Sequence, residues 1–173
     1  LSVQDRRDAR WVGTATHLVL SSVPLDRPVT VEGVLATVKR LVQAGAIPGP
    51  AAGRIPVDGI VGFFRTPLGR MALDPENRVY REWAFTMRVP AQELAGLAEG
   101  GSVLAEPVVV QGVADLVILT PTGAVVVDFK TDRAPEDPLC EARSLYSNQV
   151  LLYARAVELI LESKVKARWI WFL

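Results

Sequence analysis

Residues 113–130 constrain this chain more than any others. Two mainly aliphatic runs, Val113-Ala114-Asp115-Leu116-Val117-Ile118-Leu119 and Ala124-Val125-Val126-Val127-Asp128-Phe129-Lys130, flank the turn sequence Thr120-Pro121-Thr122-Gly123. Such runs around a Pro/Gly turn predict an antiparallel hairpin. Val108-Val109-Val110 extends the first run into one long buried strand, bent or bulged near Gly112. A turn centred near Pro121 and Thr122 brings Asp115 opposite Asp128, or one diagonal step away. Residues facing each other across antiparallel strands have Cβ atoms about 5 Å apart. Asp128 and Lys130 are two apart on one strand and leave the same face.

Two carboxylates brought together inside apolar strands repel each other and pay for desolvation. A divalent cation removes that cost, and oxygen ligands suit Mg²⁺, Mn²⁺ or Ca²⁺. A lysine two residues from a metal-binding aspartate can hold a water and stabilise developing negative charge, the equipment for metal-assisted phosphodiester hydrolysis. The plainer alternative is structural: Asp115 caps a turn, or pairs with Lys130 in a buried bridge. One cysteine, Cys140, excludes a disulfide framework and a CxxC metal site, and one histidine excludes a His-rich zinc site.

Around the hairpin the expected organisation is α/β. With 173 residues the chain is expected to form a single domain, mainly helical over 1–75, with the catalytic core over 76–173. In the first part, Val12 to Leu20 starts a helix with Thr14 near its cap. Thr30 opens another, with a stripe at Val34, Leu35, Val38, Leu41 and Val42, ending near Gly45 before a loop at Ile47-Pro48-Gly49-Pro50. A third covers much of Val57 to Arg70, closed by Pro67 and Gly69. In the second part, Val79 to Val89 alternates as a strand, with Val79, Arg81, Trp83, Phe85, Met87 and Val89 on one side and Glu82 on the other. A long helix runs from about Glu141 to Ser163, with apolar positions from Leu145 to Leu161, and Ala167 to Leu173 is the last strand.

Half of the residues are apolar and 22% are charged, which argues against disorder as the overall state. The most apolar stretch, Val103 to Val127, is interrupted by Glu106, Pro107, Gln111, Asp115, Pro121 and Gly123, so no run approaches the ~20 residues of a spanning helix. The 19 basic residues balance 19 acidic ones, which weighs mildly against a free-standing nucleic-acid binder but not against an enzyme. No basic segment precedes an apolar one as in a signal peptide. An end on the apolar run Trp169-Ile170-Trp171-Phe172-Leu173 is expected of a piece of a longer protein.

Other residues are bland alone. Gln149 and Tyr153, four apart on the long helix, share a face; His17 and Glu82 are a lone histidine and a lone strand carboxylate, and Arg81 could be a solvated charge. In order, however, Gly13-Thr14-Ala15-Thr16-His17, Arg81-Glu82-Trp83-Ala84-Phe85, Gln111 to Val117, Val127-Asp128-Phe129-Lys130-Thr131-Asp132 and Gln149 to Ala154 resemble the nuclease domain of the RecB family within the PD-(D/E)XK superfamily. The likeness is strongest to the C-terminal nuclease domains of AddA-type subunits of bacterial helicase-nucleases, and it covers most of residues 12–173.

The resemblance implies a restriction-endonuclease-like core, a short mixed sheet flanked by helices, behind an N-terminal helical region. It implies that His17, Asp115 and Asp128 bind the catalytic metal, with the backbone carbonyl of Phe129 a further ligand and Mg²⁺ the expected ion. Lys130 would position or activate the water, Glu82 would be a supporting acid, and Gln149 and Tyr153 would brace the site and touch DNA phosphate. Asp128 stands where much of the superfamily has Glu, as is common in the RecB branch. The lack of a cysteine cluster argues against the iron–sulfur subtype. The implied function is a DNA nuclease, of exonuclease type, within an ATP-dependent helicase-nuclease of the bacterial cytoplasm that processes double-strand breaks. Its implied partners are single-stranded DNA, a helicase portion of the same chain and a second subunit. The alternatives are a non-catalytic DNA-binding or scaffolding version of the fold and a stand-alone RecB-like exonuclease.

Overall fold

A run of helices precedes the strands. The computed structural model describes residues 3–90, 106–131 and 141–173, so Asp132 and Cys140, and the start of the apolar stretch at Val103, lie outside the described residues. The order is α1 (Val3–Ser22), α2 (Val31–Gln43), α3 (Gly49–Ala52), α4 (Val57–Arg65), α5 (Pro67–Leu73), β1 (Arg78–Val89), β2 (Val108–Thr120), β3 (Gly123–Lys130), α6 (Glu141–Ile160) and β4 (Val165–Phe172).

Local chemistry explains most boundaries. Thr30 caps α2 as its sequence suggests, its Oγ1 accepting the Gly33 N–H at 3.1 Å. Thr14 does not cap α1; the helix begins nearer the N-terminus, and the Thr14 hydroxyl donates back to the Arg10 carbonyl. The loop expected at 47–50 contains the short α3.

The expected single helix over 57–70 is two helices. Thr66 is extended and ends α4, and Pro67 opens α5 instead of closing α4, because a first-turn proline loses no hydrogen bond. The Thr66 hydroxyl donates to the Phe63 carbonyl at 2.7 Å and accepts the Gly69 N–H at 3.0 Å, which folds α5 back onto α4. A Cβ at Gly69 would lie 2.2 Å from the Phe63 carbonyl oxygen and 2.5 Å from the Phe64 Cα. Both are backbone, so nothing cheap can move. Gly69→Ala is therefore expected to cost at least the ~1–3 kcal/mol typical of overpacking, read as a lower melting temperature.

Among the described residues the strands form one sheet in the order β1-β2-β3-β4. The pairs β1–β2 and β2–β3 are antiparallel, and β3–β4 is parallel, with α6 lying between them in sequence. Leu116, Ile118, Val125, Val127 and Phe129 pack with α1, α2 and α4 around Phe63, whose ring meets Phe64, Phe129 and Trp171 edge to face. Val117, Ala124 and Val126 pack with Val150, Ala156 and Val157 of α6. Helices thus cover both faces of the sheet.

The simple alternation expected for β1 is broken. Val79 belongs to the core under α1–α5, whereas Tyr80, Trp83, Phe85, Met87 and Val89 belong with α6. The phase changes at Glu82, which sits at φ +48°. A bulky residue there is a strained exception, costing of order 1–3 kcal/mol. The pairs Arg81–Leu116 and Trp83–Ala114 bracket Glu82 and place it across from Asp115. β2 changes phase at the same point, Ala114 packing with α6 and Leu116 with the other core.

The pairing runs unbroken through Phe85–Gly112, so Gly112 is no bulge. Its missing side chain makes room for the Phe85 ring, which a Cβ would meet at 2.6 Å. The outer half of β2 is not buried as expected: Val109 is 59% and Val113 41% exposed.

Candidate active site

The hairpin register is the one read from the sequence. Its ladder runs from Thr120–Gly123 to Leu116–Val127, where the regular pairing stops. One step further, an Asp115 carboxylate oxygen takes the Phe129 N–H at 2.7 Å in place of a backbone partner. Asp115 is fixed by the fold, with its second oxygen turned to α1.

There it meets His17. The His17 Nδ1 lies 3.2 Å from Asp115 and 3.5 Å from Glu82. Ligand atoms of His17, Glu82 and Asp115 all fall within 4.8 Å of one another. The strained φ of Glu82 is what lets it join: Arg81 and Glu82, neighbours in sequence, both reach toward α1. The Arg81 guanidinium donates to the Leu20 and Val23 carbonyls at the end of α1, satisfying acceptors that a helix C-terminus leaves open. Arg81 is thus no solvated charge but a strut that ties the histidine-bearing helix to the glutamate-bearing strand.

Burial pushes the His17 pKa down, but hydrogen bonds to Asp115 and Glu82 and their charges outweigh it and raise it from 6.5 to about 10. The metal-free protein therefore carries an imidazolium here at neutral pH. A pKa raised on folding stabilises fully below the unfolded value and loses that contribution as pH rises through the folded one. The metal-free chain should lose stability between about pH 6.5 and pH 10. His17→Asn should flatten that slope in thermal melts taken across the range, and an equal slope in both proteins would refute the assignment.

Asp128 is 1% exposed. Burial raises its pKa and the Asp115 charge adds to that, while Lys130 and His17 oppose it. Its Oδ2 lies 2.8 Å from the Lys130 ammonium, a buried ion pair. Lys130 also donates to the Gln149 Oε1 at 2.9 Å and stands 4.6 Å from the centre of the Tyr146 ring. The Gln149 amide in turn donates to the Tyr153 hydroxyl. Burial and the nearby carboxylates push Tyr153 up to about 12, so it stays a neutral phenol.

The residues singled out in the sequence therefore meet at the end of β3 and midway along β1 and β2, between α1 and α6, but they divide differently. Glu82, expected as a supporting acid, stands within the tight group with His17 and Asp115. Asp128, expected as a direct ligand, is outside that group and held by Lys130. Tyr146 and Arg81 were missed as contributors. Tyr146 had a signal, lying three and seven residues before Gln149 and Tyr153 and so on their helix face; the role of Arg81 had none, because its partners are backbone carbonyls distant in sequence.

The donor set fits a hard divalent cation: one imidazole nitrogen and otherwise carboxylate oxygens, with the buried Asp128 carboxylate beside them. Among the described residues no helix is long and apolar enough to cross a membrane.

The sequence has known relatives. The chain is 38% identical over 161 residues to an ATP-dependent helicase/nuclease subunit of Moorella thermoacetica, covering 93% of this chain and 11% of that protein. It is 35% identical to the same-named protein of Carboxydothermus hydrogenoformans over 96% of this chain and 14% of the relative, and 36% identical to that of Ligilactobacillus salivarius over 94% and 13%. The chain thus spans only about an eighth of the length of these curated relatives. The family model of the PD-(D/E)XK nuclease superfamily matches residues 2–173, and its nuclease fold is the mixed sheet between helices seen here; this chain belongs to the PD-(D/E)XK nuclease superfamily.

Proposed function

We propose that this chain is a divalent-metal-dependent deoxyribonuclease module, of exonuclease type, that hydrolyses phosphodiester bonds of a DNA single strand. The observation that carries the reading is the convergence of His17, Glu82 and Asp115 beside the Asp128–Lys130 pair. In this reading His17, Asp115, Asp128 and the Phe129 carbonyl hold the ion, with Glu82 beside them, and Mg²⁺ is the resident cation with Mn²⁺ or Ca²⁺ as substitutes. A divalent cation at such a site lowers the pKa of a water and offsets charge on the phosphoryl oxygens.

The remaining work falls to the chain's own residues. Lys130 has three N–H donors. Two are directed at Asp128 and Gln149, which leaves the third for the attacking water or a phosphate oxygen. Tyr146 and Gln149 keep the ammonium from swinging, and Tyr153 orients the Gln149 amide. Asp115, anchored by the Phe129 N–H, keeps its other oxygen on the His17 side.

The parent protein is proposed to be an ATP-dependent helicase-nuclease of the bacterial cytoplasm. There the module would sit in one chain with a helicase portion, work beside a second subunit, and act in double-strand break repair and recombination. The test is cleavage of end-labelled single-stranded DNA with Mg²⁺ or Mn²⁺. Cleavage that EDTA stops supports the reading. DNA binding without cleavage under any divalent cation would instead favour a non-catalytic version of the fold.

A further inference from the structure

We propose that the open face of the β1–β2 ribbon is a track for a single polynucleotide strand, leading from the His17–Glu82–Asp115 group to Arg88. The proposal deepens the nuclease reading of the site and rests on it. Beyond the phase change at Glu82, the ribbon has one covered and one open face. Phe85, Met87 and Val89 are buried with α6, while Glu82, Ala84, Thr86 and Arg88 alternate with them and are exposed. On β2 the exposed alternates are Val109, Gln111 and Val113, paired across the ribbon with Arg88, Thr86 and Ala84. The next step of this same face is Glu82 across from Asp115. The open face and the acidic group are therefore one continuous surface, which is a consequence of where the two strands change phase.

Its side chains suit a nucleic-acid strand better than a protein partner. Ala84, Thr86, Gln111 and Val113 line a shallow groove, and a hydrogen bond from the Gln111 amide to the Thr86 hydroxyl holds its middle flat. Small and hydroxyl-bearing residues admit a sugar–phosphate backbone closely, and Val113 and Val109 offer apolar contact without reading a base. At the far end Arg88 is exposed, and among the described residues no carboxylate pairs with it. Six residue steps of extended strand lead from Glu82 to Arg88, about 20 Å at the usual rise, so a strand engaged at the acidic group reaches Arg88 only by lying along the groove. A guanidinium at that distance attracts phosphate where the acidic group alone would repel it.

The test uses the whole 173-residue chain and a labelled single-stranded oligonucleotide in EDTA, with anisotropy followed through a salt titration. Arg88→Ala should bind more weakly, with a salt slope shallower by about one, as for one lost phosphate contact. Thr86→Glu, which puts a like charge on the groove floor, should also weaken binding. Lys39→Ala, an equal charge loss on the exposed side of α2, should change nothing. With Mg²⁺ present, Arg88→Ala and Thr86→Glu should raise KM and leave kcat unchanged. The proposal is overturned if wild type does not bind, if either ribbon variant binds as wild type does, or if Lys39→Ala loses as much as Arg88→Ala. Wild-type binding with these dependences but no cleavage under any divalent cation overturns the nuclease reading and leaves the track. Cleavage with binding indifferent to both ribbon positions does the reverse.

Discussion

Lys130→Arg is expected to fold and bind metal but to lose cleavage by about two to three orders of magnitude, the loss typical when one preorganised donor to the reacting charge is removed. The Lys130 ammonium fits between Asp128 Oδ2 at 2.8 Å and Gln149 Oε1 at 2.9 Å, below the Tyr146 ring. A planar guanidinium can satisfy both oxygens, but it places its charge further out, and its remaining N–H groups are fixed in the guanidinium plane and cannot take the direction of the third ammonium proton. Lys130→Ala should lose as much cleavage for a different reason. Lys130 is one of the groups holding down the pKa of Asp128, so without it the buried carboxyl takes up a proton more readily. The paired measurement is thermal melting with metal and single-turnover cleavage of one DNA. Near wild-type cleavage by Lys130→Arg would make the lysine a structural ion-pair partner and remove the central step.

The second large effect is expected at Asp115. Asp115→Asn keeps an oxygen that can accept the Phe129 N–H but removes the charge facing His17 and Glu82. Cleavage should fall at least about a hundredfold. A second readout does not depend on activity. Metal that binds only the folded wild type stabilises it by about 2.7 kcal/mol at a hundredfold excess over its dissociation constant. The variant should lose most of that gain in melting temperature. Its own metal-free melting temperature combines two opposed changes, the loss of a charge that holds the His17 imidazolium and the relief of the repulsion felt by Asp128, so the metal-induced shift is the readout. A metal-induced shift undiminished in Asp115→Asn would place the cation elsewhere.

The sequence was most informative where local chemistry decides. Thr30 reads as a cap because a hydroxyl before an apolar stripe has one obvious use, and it accepts the Gly33 N–H. The hairpin register follows from its turn, so the approach of Asp115 to Asp128 and the shared face of Asp128 and Lys130 are legible in the sequence. The order of five short motifs carried the family. Thr66-Pro67 misleads because proline in a first helical turn and proline after a last one look alike in sequence. Which applies depends on whether Gly69 can pack against the Phe63 carbonyl.

By itself, then, the sequence determined the α/β class, the hairpin, and the identity of the residues that gather at its end. Periodicity, turn chemistry and motif order all act over a few residues, and these features need nothing longer. The tertiary structure alone decided how those residues divide. The left-handed Glu82 shifts β1 by one face, so a glutamate expected on the margin joins His17 and Asp115, while Asp128 is drawn to Lys130 and the Gln149–Tyr153 pair on α6. That φ is strained in isolation and persists because Arg81 binds the end of α1 while Trp83 and Phe85 are packed on the α6 side of the sheet. The balance is between contacts some sixty residues apart, and no local pattern records it.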